Sequence, residues 1–216
     1  MKKIALSLIL IISLAILSAC SSDLNLELYV SEMRLNAYVY ASSDYSLTLF
    51  EKEAESPYVS DGFVGKMQKS LSIRLENFTR LPDDASVKLN YGGKEIQGSF
   101  IYNPVNSKYT VEVIVDKLFP SSEITLTLIT SEGETELTLK RVTQGEVDLK
   151  KALSAVSKHA RSYIEKAISS SGGIEVHVRV IPENEVNYYY VGIVDQNGNV
   201  KAFLVDGKTL KILAER

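Results

Sequence analysis

The sequence has one cysteine, Cys20, no tryptophan and two histidines, His159 and His177. A single cysteine excludes an intrachain disulfide, so packed apolar cores must hold the fold together. The absence of tryptophan argues against a carbohydrate-binding platform, which favours large aromatic faces. The histidines are far apart in sequence and have no thiolate partner, and no nucleophile motif accompanies them. We therefore predict no metal, no cofactor and no catalytic set, and interpret both histidines as surface or boundary residues.

The N-terminal residues have the pattern of a targeting segment. Met1-Lys2-Lys3 precedes an apolar run from Ile4 to Leu17, and small residues follow it. This order of charge, apolar core and small residues is typical of a secretory signal peptide. The apolar run is shorter than the roughly 20 residues that span a bilayer. The pattern predicts that residues 1–19 are a signal peptide and that the rest of the chain is extracytoplasmic.

The end of this segment, Leu17-Ser18-Ala19-Cys20, resembles the lipobox of bacterial lipoproteins. In that family the cysteine sulfur receives a diacylglyceryl group, and cleavage leaves the cysteine as the first residue. The resemblance implies that Cys20 is lipidated and tethers the protein to a bacterial membrane. Two acyl chains are enough for a stable membrane anchor. An ordinary signal peptide cut near Ala19, with an incidental cysteine, is the alternative.

The charge balance excludes one large class of partners. Removal of residues 1–19 takes out Lys2 and Lys3 and leaves 22 basic and 27 acidic side chains, a net charge of −5. General nucleic-acid binding needs a basic footprint, so we predict no nucleic-acid partner. The remaining chain is long enough for one large or two small domains.

Residues 20–142 are dominated by alternating apolar and polar residues, the pattern of half-buried strands. The predicted strands cover residues 24–30, 35–41, 45–50, 71–75, 87–91, 96–102, 109–115, 124–129 and 135–139. Gly92-Gly93 and Ser131-Glu132-Gly133 indicate hairpin turns. Residues 51–69 break the pattern and predict a long loop with a short helix at 64–70. The whole indicates a mainly β protein, with an antiparallel, immunoglobulin-like β-sandwich in this first domain.

Residues 146–216 predict a second, α+β domain. An apolar stripe at helical spacing runs from Leu149 to Ile168, Asp148 is a suitable N-cap, and Gly172-Gly173 ends the element. Four strands at 174–180, 186–194, 200–205 and 210–213 follow, with an Asn197-Gly198 hairpin. The prediction is one long helix packed on a four-stranded antiparallel sheet.

This second part resembles the PepSY-like family. The matching stretches are Tyr190-Val191-Gly192-Ile193-Val194-Asp195 and Phe203-Leu204-Val205-Asp206-Gly207-Lys208-Thr209, with Leu210 where the family usually has glycine. The resemblance implies an extracytoplasmic binding or inhibitory module, a class that includes peptidase propeptides.

Two surfaces are candidates for binding. The outer face of the helix carries the cations Lys150, Lys151, Lys158, Arg161 and Lys166. They would contact anionic lipid headgroups or envelope polymers, or they form an ordinary solvated face. In the run Tyr188-Tyr189-Tyr190, strand alternation places Tyr189 opposite the other two. One face would pack in a core, and the other could anchor a partner.

These features favour a lipid-anchored, non-enzymatic binding protein that recognises or inhibits an envelope protein or peptide. Strand addition at the edge of the small sheet is the predicted mechanism. An accessory subunit, an enzyme of unrecognised type and a purely structural envelope protein are the alternatives.

Overall fold

The computed structural model describes residues 24–76, 84–105, 107–143, 148–183 and 186–216. Within these ranges the chain is mainly β, with one large sheet of 13 strands and two α-helices. The predicted signal peptide, Cys20 and the segment 144–147 between the two predicted domains lie outside the described residues.

The strands are numbered in chain order, and buried positions alternate with more exposed ones most clearly in β2, β3 and β8. Their bounds are β1 Val30–Ala41, β2 Ser46–Glu55, β3 Met67–Glu76, β4 Ser86–Tyr91, β5 Lys94–Ser99, β6 Ile101–Asn103, β7 Lys108–Val115, β8 Glu123–Thr130, β9 Gly133–Arg141, β10 Ile174–Glu183, β11 Val186–Asp195, β12 Val200–Asp206 and β13 Ile212–Glu215. A 310 helix, Leu26–Tyr29, precedes them, and helices α1 (Leu149–His159) and α2 (Arg161–Ser171) separate β9 from β10.

β1 joins the two parts of the molecule. β2 pairs with one of its edges. The other edge pairs in parallel with β10 from Val30 to Arg34 and then antiparallel with β9 at Tyr38 and Val39. On one side the order continues β10-β11-β12-β13; on the other, the strands run β5-β4-β8-β9-β1-β2-β3-β7-β6. The second sheet is thus continuous with the first.

The nine strands from β5 round to β6 curl into a nearly closed barrel. Its interior is filled by one apolar cluster, the barrel core, to which these strands contribute Tyr38, Leu47, Leu49, Leu71, Ile73, Leu75, Val87, Leu89, Val111, Leu126, Leu128, Leu137 and Leu139, among others. β5 and β7 face each other where the barrel would close. Gly98 lies so close to β7 that an added Cβ would stand 2.9 Å from Cγ2 of Val113.

The two helices cover one face of the strands that follow them. Leu153, Val156 and Ile164 pack with Val176, Val178, Val191 and Phe203 in a second apolar cluster, the helix-side core. The predicted caps are confirmed: the Asp148 carboxylate accepts a hydrogen bond from the Lys151 amide, and Gly172 ends α2 in a left-handed conformation.

The prediction of one long helix is wrong, because the helix breaks at Ala160. This residue leaves helical geometry at φ −105° and ψ 19° and serves both as the C-cap of α1 and as the N-cap of α2. The break lets each helix follow a different part of the twisted sheet. α1 contacts β11, β12, β13 and the 310 helix, whereas α2 contacts β10 and β11.

Other local predictions are also corrected. The predicted first strand at 24–30 begins as the 310 helix, because the Asn25 side chain caps the Glu27 amide and Leu26 packs into the helix-side core. The predicted helix at 64–70 is instead the start of β3, since Met67 pairs with Glu55 at the end of a longer β2. The predicted strand at 96–102 is divided at Phe100, whose side chain is buried in the barrel core.

Candidate functional site

Two clefts lie on either side of Phe119 at one end of the barrel. Phe119 belongs to the segment between β7 and β8, and its ring packs edge-on against Tyr91 with centroids 5.6 Å apart. The first cleft has a volume of about 500 Å³ and the second about 340 Å³. Both fall within the usual range for ligand pockets. Tyr91 and Phe119 line both of them, so the position of this ring pair shapes both clefts.

The smaller cleft opens between β5 and β7. Lys94 and Ile96 line it from β5, and Ile114 and Val115 line it from β7. Among the described residues β5 has a strand partner only on its β4 side, and Val111–Val115 of β7 only on the β3 side. Two sheet edges with unpaired backbone groups therefore face each other here. We call this opening the seam.

The exposed side chains of the seam are apolar in the middle and charged at the mouth. Ile114 is 63% exposed and Phe119 is 42% exposed. Lys94 of β5 forms an ion pair with Asp116, the residue after the end of β7, so one charge pair bridges the opening. An apolar groove between free strand edges can accept an extended chain, whose backbone pairs with the edge while its side chains fill the groove.

The larger cleft is more polar. It lies where β4 and β8 diverge beyond the Leu89–Leu126 pair. Its lining carries three carboxylates, from Glu95, Glu123 and Glu136, against the single amine of Lys88, which pairs with Glu95 at 3.0 Å. This cleft therefore favours cationic or hydrogen-bond-donating groups.

A buried carboxylate is hydrogen-bonded to the tyrosine of the ring pair. Glu51 of β2 is 1% exposed. Its carboxylate accepts hydrogen bonds from the hydroxyls of Tyr91 at 2.5 Å and Tyr38 at 3.4 Å, and from the Asn36 amide at 2.7 Å. Arg141 in turn donates to the Asn36 carbonyl oxygen at 2.6 Å. A buried charge needs such partners, because an unpaired one is costly.

The two tyrosine hydroxyls also accept hydrogen bonds from the segment between β7 and β8. The Phe119 amide donates to the Tyr91 hydroxyl at 2.7 Å, and the Ser121 amide donates to the Tyr38 hydroxyl at 3.2 Å. Burial, and for Tyr91 also its bond to Glu51, raises the pKa of both phenols, so they stay protonated and can donate to the carboxylate. We call Glu51, Tyr38 and Tyr91 the carboxylate relay.

A second polar cluster lies where β1 meets β10. Glu175 is 1% exposed and accepts hydrogen bonds from the Ser31 hydroxyl at 3.1 Å and the Gly62 amide at 3.3 Å. His177 lies beside it, with Nε2 at 3.9 Å from the Glu175 carboxylate and the Tyr58 ring at 5.9 Å. The Ser31 hydroxyl is bonded to the carboxylate rather than to the imidazole. This geometry differs from a Ser-His-acid triad, in which the base contacts the nucleophile.

His177 is half-buried among charges. Burial, together with Arg179 and Arg34, lowers the pKa of its imidazole, although Glu32 and Glu175 oppose this. Although burial opposes it, Arg34 and Arg179 hold the pKa of Glu32 below its usual value. The charged and titratable groups around His177 are Glu32, Arg34, Glu175, Arg179 and Tyr58.

This lowered pKa predicts a loss of stability in mild acid. The unfolded chain takes up a proton at His177 near the ordinary value, before the folded protein does, so stability falls as the pH drops below about 6.5. We expect His177→Gln to flatten the fall in melting temperature between about pH 7.5 and 5.5. His159→Gln is the control, because His159 is exposed and bonded to Glu215 at the surface. Equal pH dependence in wild type and His177→Gln would contradict the assignment.

The five basic residues predicted on the helix face differ in their ion pairing. Lys151 pairs with Asp148 at 2.7 Å, and Arg161 pairs with Glu165 at 2.8 Å. Lys150, Lys158 and Lys166 are exposed and have no carboxylate within ion-pair distance among the described residues. Lys150 and Lys158 line a hollow of about 230 Å³ beside Leu24.

The three tyrosines lie on β11 as strand alternation predicts. Tyr189 is buried in the helix-side core, whereas Tyr188 and Tyr190 point to the opposite face and are half-buried. The Arg179 guanidinium stacks over the Tyr190 ring at 5.7 Å. The edges available for strand addition on the small sheet are short, because β1 pairs with residues 176–179 of β10 and leaves free, within the described residues, the last four residues of β10 and the four-residue β13.

Sequence reasoning missed the carboxylate relay and the seam. Glu51 did carry a signal, because it follows Leu47 and Leu49 at the inward positions of β2. A charged residue that continues an inward apolar series indicates a buried, partnered charge. The seam had no such signal, since it depends on which strands remain unpaired after the sheet has curled.

Within the described ranges, no group of three His, Cys, Asp or Glu residues could hold a metal ion, and no helix is long and apolar enough to cross a bilayer. Comparison with protein-family models, with curated proteins and with solved structures found no match to this chain.

Proposed function

We propose that this protein is a lipid-anchored, extracytoplasmic binding protein that captures an extended segment of another envelope protein or peptide at the seam. The observation that carries the proposal is the pair of unpartnered strand edges, β5 and the second half of β7, on either side of an apolar cleft. Free strand edges are normally protected in soluble proteins, and an unprotected pair fits strand addition.

The carboxylate relay supports this proposal because it holds Phe119 in place before any ligand arrives. An aromatic side chain that is half-exposed and already fixed loses little conformational entropy on binding, which is typical of an interface anchor. The proposed site differs from the small-sheet edge expected from the sequence, because the seam is flanked by longer edges than β13 offers.

The anchoring and the finer fold are part of the same proposal. The lipobox at residues 17–20 supports delivery to a membrane surface. As the finer fold, we propose an immunoglobulin-like arrangement of the strands in residues 20–142 and a PepSY-like helix-plus-sheet arrangement in residues 146–216. The helix pair packed against β10, β11 and β12 supports the second assignment. The role is recognition, with inhibition of an envelope peptidase as one form of it.

Photo-crosslinking on intact cells tests the seam. A photoreactive residue in place of Lys94 on β5 and, separately, Ile114 on β7 should capture the same segment of the same protein, because both edges line one groove. Mass spectrometry identifies the captured segment. Phe119→Ala should lower the yield at both positions about tenfold through loss of the anchor.

Two controls separate the seam from general exposure. A photoreactive residue at Glu134, exposed on β9, should give no such adduct, and Phe63→Ala, which removes another exposed ring, should leave the yield unchanged. A synthetic peptide of the captured segment should slow amide exchange at residues 94–96 of β5 and at residues 114–115 of β7, which line the open part of the seam. Different captured proteins at positions 94 and 114, or no protection of either edge, would disprove strand addition at the seam.

A further inference from the structure

The described chain begins at Leu24, and its start is fixed to α1. The Ser157 hydroxyl donates a hydrogen bond of 2.8 Å to the Leu24 carbonyl oxygen, and Leu26 is 1% exposed in the helix-side core. Leu28, in the same 310 helix, is by contrast 73% exposed. The point at which the chain enters the fold is therefore a defined place on the surface, and the 310 helix that follows it carries an exposed leucine.

Leu24 is the fourth residue after Cys20, and four extended residue steps span about 14 Å at most. If Cys20 carries lipid, as proposed above, its sulfur lies at the bilayer surface and Leu24 must stay within that distance of it. The surface around Leu24 is thus the part of the described protein that the tether keeps closest to the membrane.

The residues around Leu24 have the composition of a membrane-contacting surface. Lys150 and Lys158 line the hollow next to Leu24, and neither has a carboxylate partner among the described residues. Glu27 is the one acid lining the same hollow. The 310 helix that carries Leu28 packs against α1, which carries both lysines. An exposed leucine on such a surface can insert its side chain at the interface while the amines meet headgroup phosphates. Each lysine near an anionic surface contributes about a fivefold preference.

We infer that Leu28, Lys150 and Lys158 form a membrane-facing surface, which we call the tether patch, and that it rests on anionic lipid headgroups when the chain is held by Cys20. This inference rests on the proposed lipid anchor. It adds an orientation: α1 lies against the bilayer. Tyr40 lies ten residues along β1 from Val30, which is a distance of about 33 Å. The strand register places Tyr109 level with Tyr40, so this end of the barrel lies far from the tether patch.

The orientation can be tested separately from the anchor. Intact-mass analysis of the N-terminal peptide from cells reports whether Cys20 carries lipid. Independently, the chain from Cys20 onward, whose only thiol is that of Cys20, is coupled to maleimide lipid in vesicles of phosphatidylcholine with or without phosphatidylglycerol. Hydrogen exchange should slow about fivefold or more at residues 27–29 and in α1 on the anionic vesicles only. Residues 102–105, in the distant end of β6 and the turn after it, should exchange at the same rate throughout.

Charge reversal provides the matched comparison. Lys150→Glu combined with Lys158→Glu should abolish the protection, whereas Lys140→Glu combined with Lys211→Glu, the same charge change at exposed sites elsewhere, should preserve it. Equal exchange at residues 27–29 on both vesicle types, or protection that survives the first pair of substitutions, would overturn the tether patch. Absence of lipid in the cellular protein would instead count against the proposed anchor and leave the vesicle result to decide the patch.

Discussion

Replacement of Glu51 by alanine is expected to reduce the free energy of unfolding by about 3–5 kcal/mol. The substitution leaves the hydroxyls of Tyr38 and Tyr91 and the amide of Asn36 without their acceptor in a buried place. It also leaves a cavity at the end of the barrel core. Urea unfolding followed by far-ultraviolet circular dichroism measures the loss, a suitable probe because the chain has no tryptophan.

Glu53→Ala is the matched control on the same strand. Its carboxylate is partly exposed and lies 3.9 Å from the Lys69 amine, so its removal should change stability by no more than about 0.5 kcal/mol. A Glu51→Ala protein as stable as Glu53→Ala would show that the buried carboxylate does not hold the barrel end together.

The relay has two branches that can be separated by hydrogen exchange. Tyr91→Phe removes the acceptor of the Phe119 amide and should speed exchange there, while the Ser121 amide stays protected. Tyr38→Phe should give the reverse pattern. Faster exchange at both amides in both variants would mean that the segment between β7 and β8 opens as a unit, without separate support from each tyrosine.

Gly173→Ala is the second substitution with a large expected effect, about 2–3 kcal/mol of lost stability. A Cβ at Gly173 would overlap the Gly62 carbonyl oxygen and lie 2.9 Å from the Gly62 carbonyl carbon. Both are backbone atoms, which cannot rotate away. The loop between β2 and β3 is fastened at this point by the Gly62 amide on Glu175 and by the Gln196 amide on the Asp61 carbonyl oxygen. Thermal unfolding measures the loss.

Gly65→Ala, in the same loop, is the comparison. Its Cβ would meet the Glu55 side chain, whose carboxylate accepts a hydrogen bond from the Gly65 amide at 3.0 Å. The carboxylate can turn aside and exchange this exposed bond for water, so the loss should stay below about 1 kcal/mol. Hydrogen exchange should also show the Gly62 amide released from Glu175 in Gly173→Ala. Equal stability of the two variants would show that the close approach of Gly62 and Gly173 contributes little to the fold.

Local alternation was the reliable part of the sequence reasoning. It located most of the strands and the turns at Gly92-Gly93 and Asn197-Gly198, because the side-chain period and the glycine turn are local properties. It failed where a tertiary contact overrode the local pattern. Leu24 to Val30 alternates like a strand, yet the burial of Leu26 and the Asn25 cap turn it into a 310 helix. The helix break at Ala160 likewise follows the shape of the sheet below it.

The sequence by itself determined that the chain is mainly β and that a helical segment precedes the last strands, and it predicts a lipoprotein signal at residues 1–20. These features depend on neighbouring residues alone. Only the tertiary structure decided that β1 pairs with both β9 and β10, that Glu51 meets Tyr38 of the neighbouring β1 and Tyr91 of β4, and that β5 and β7 have no strand between them at the seam among the described residues. Such pairings join residues far apart in the chain. They depend on the packing of the whole sheet, which no local pattern records.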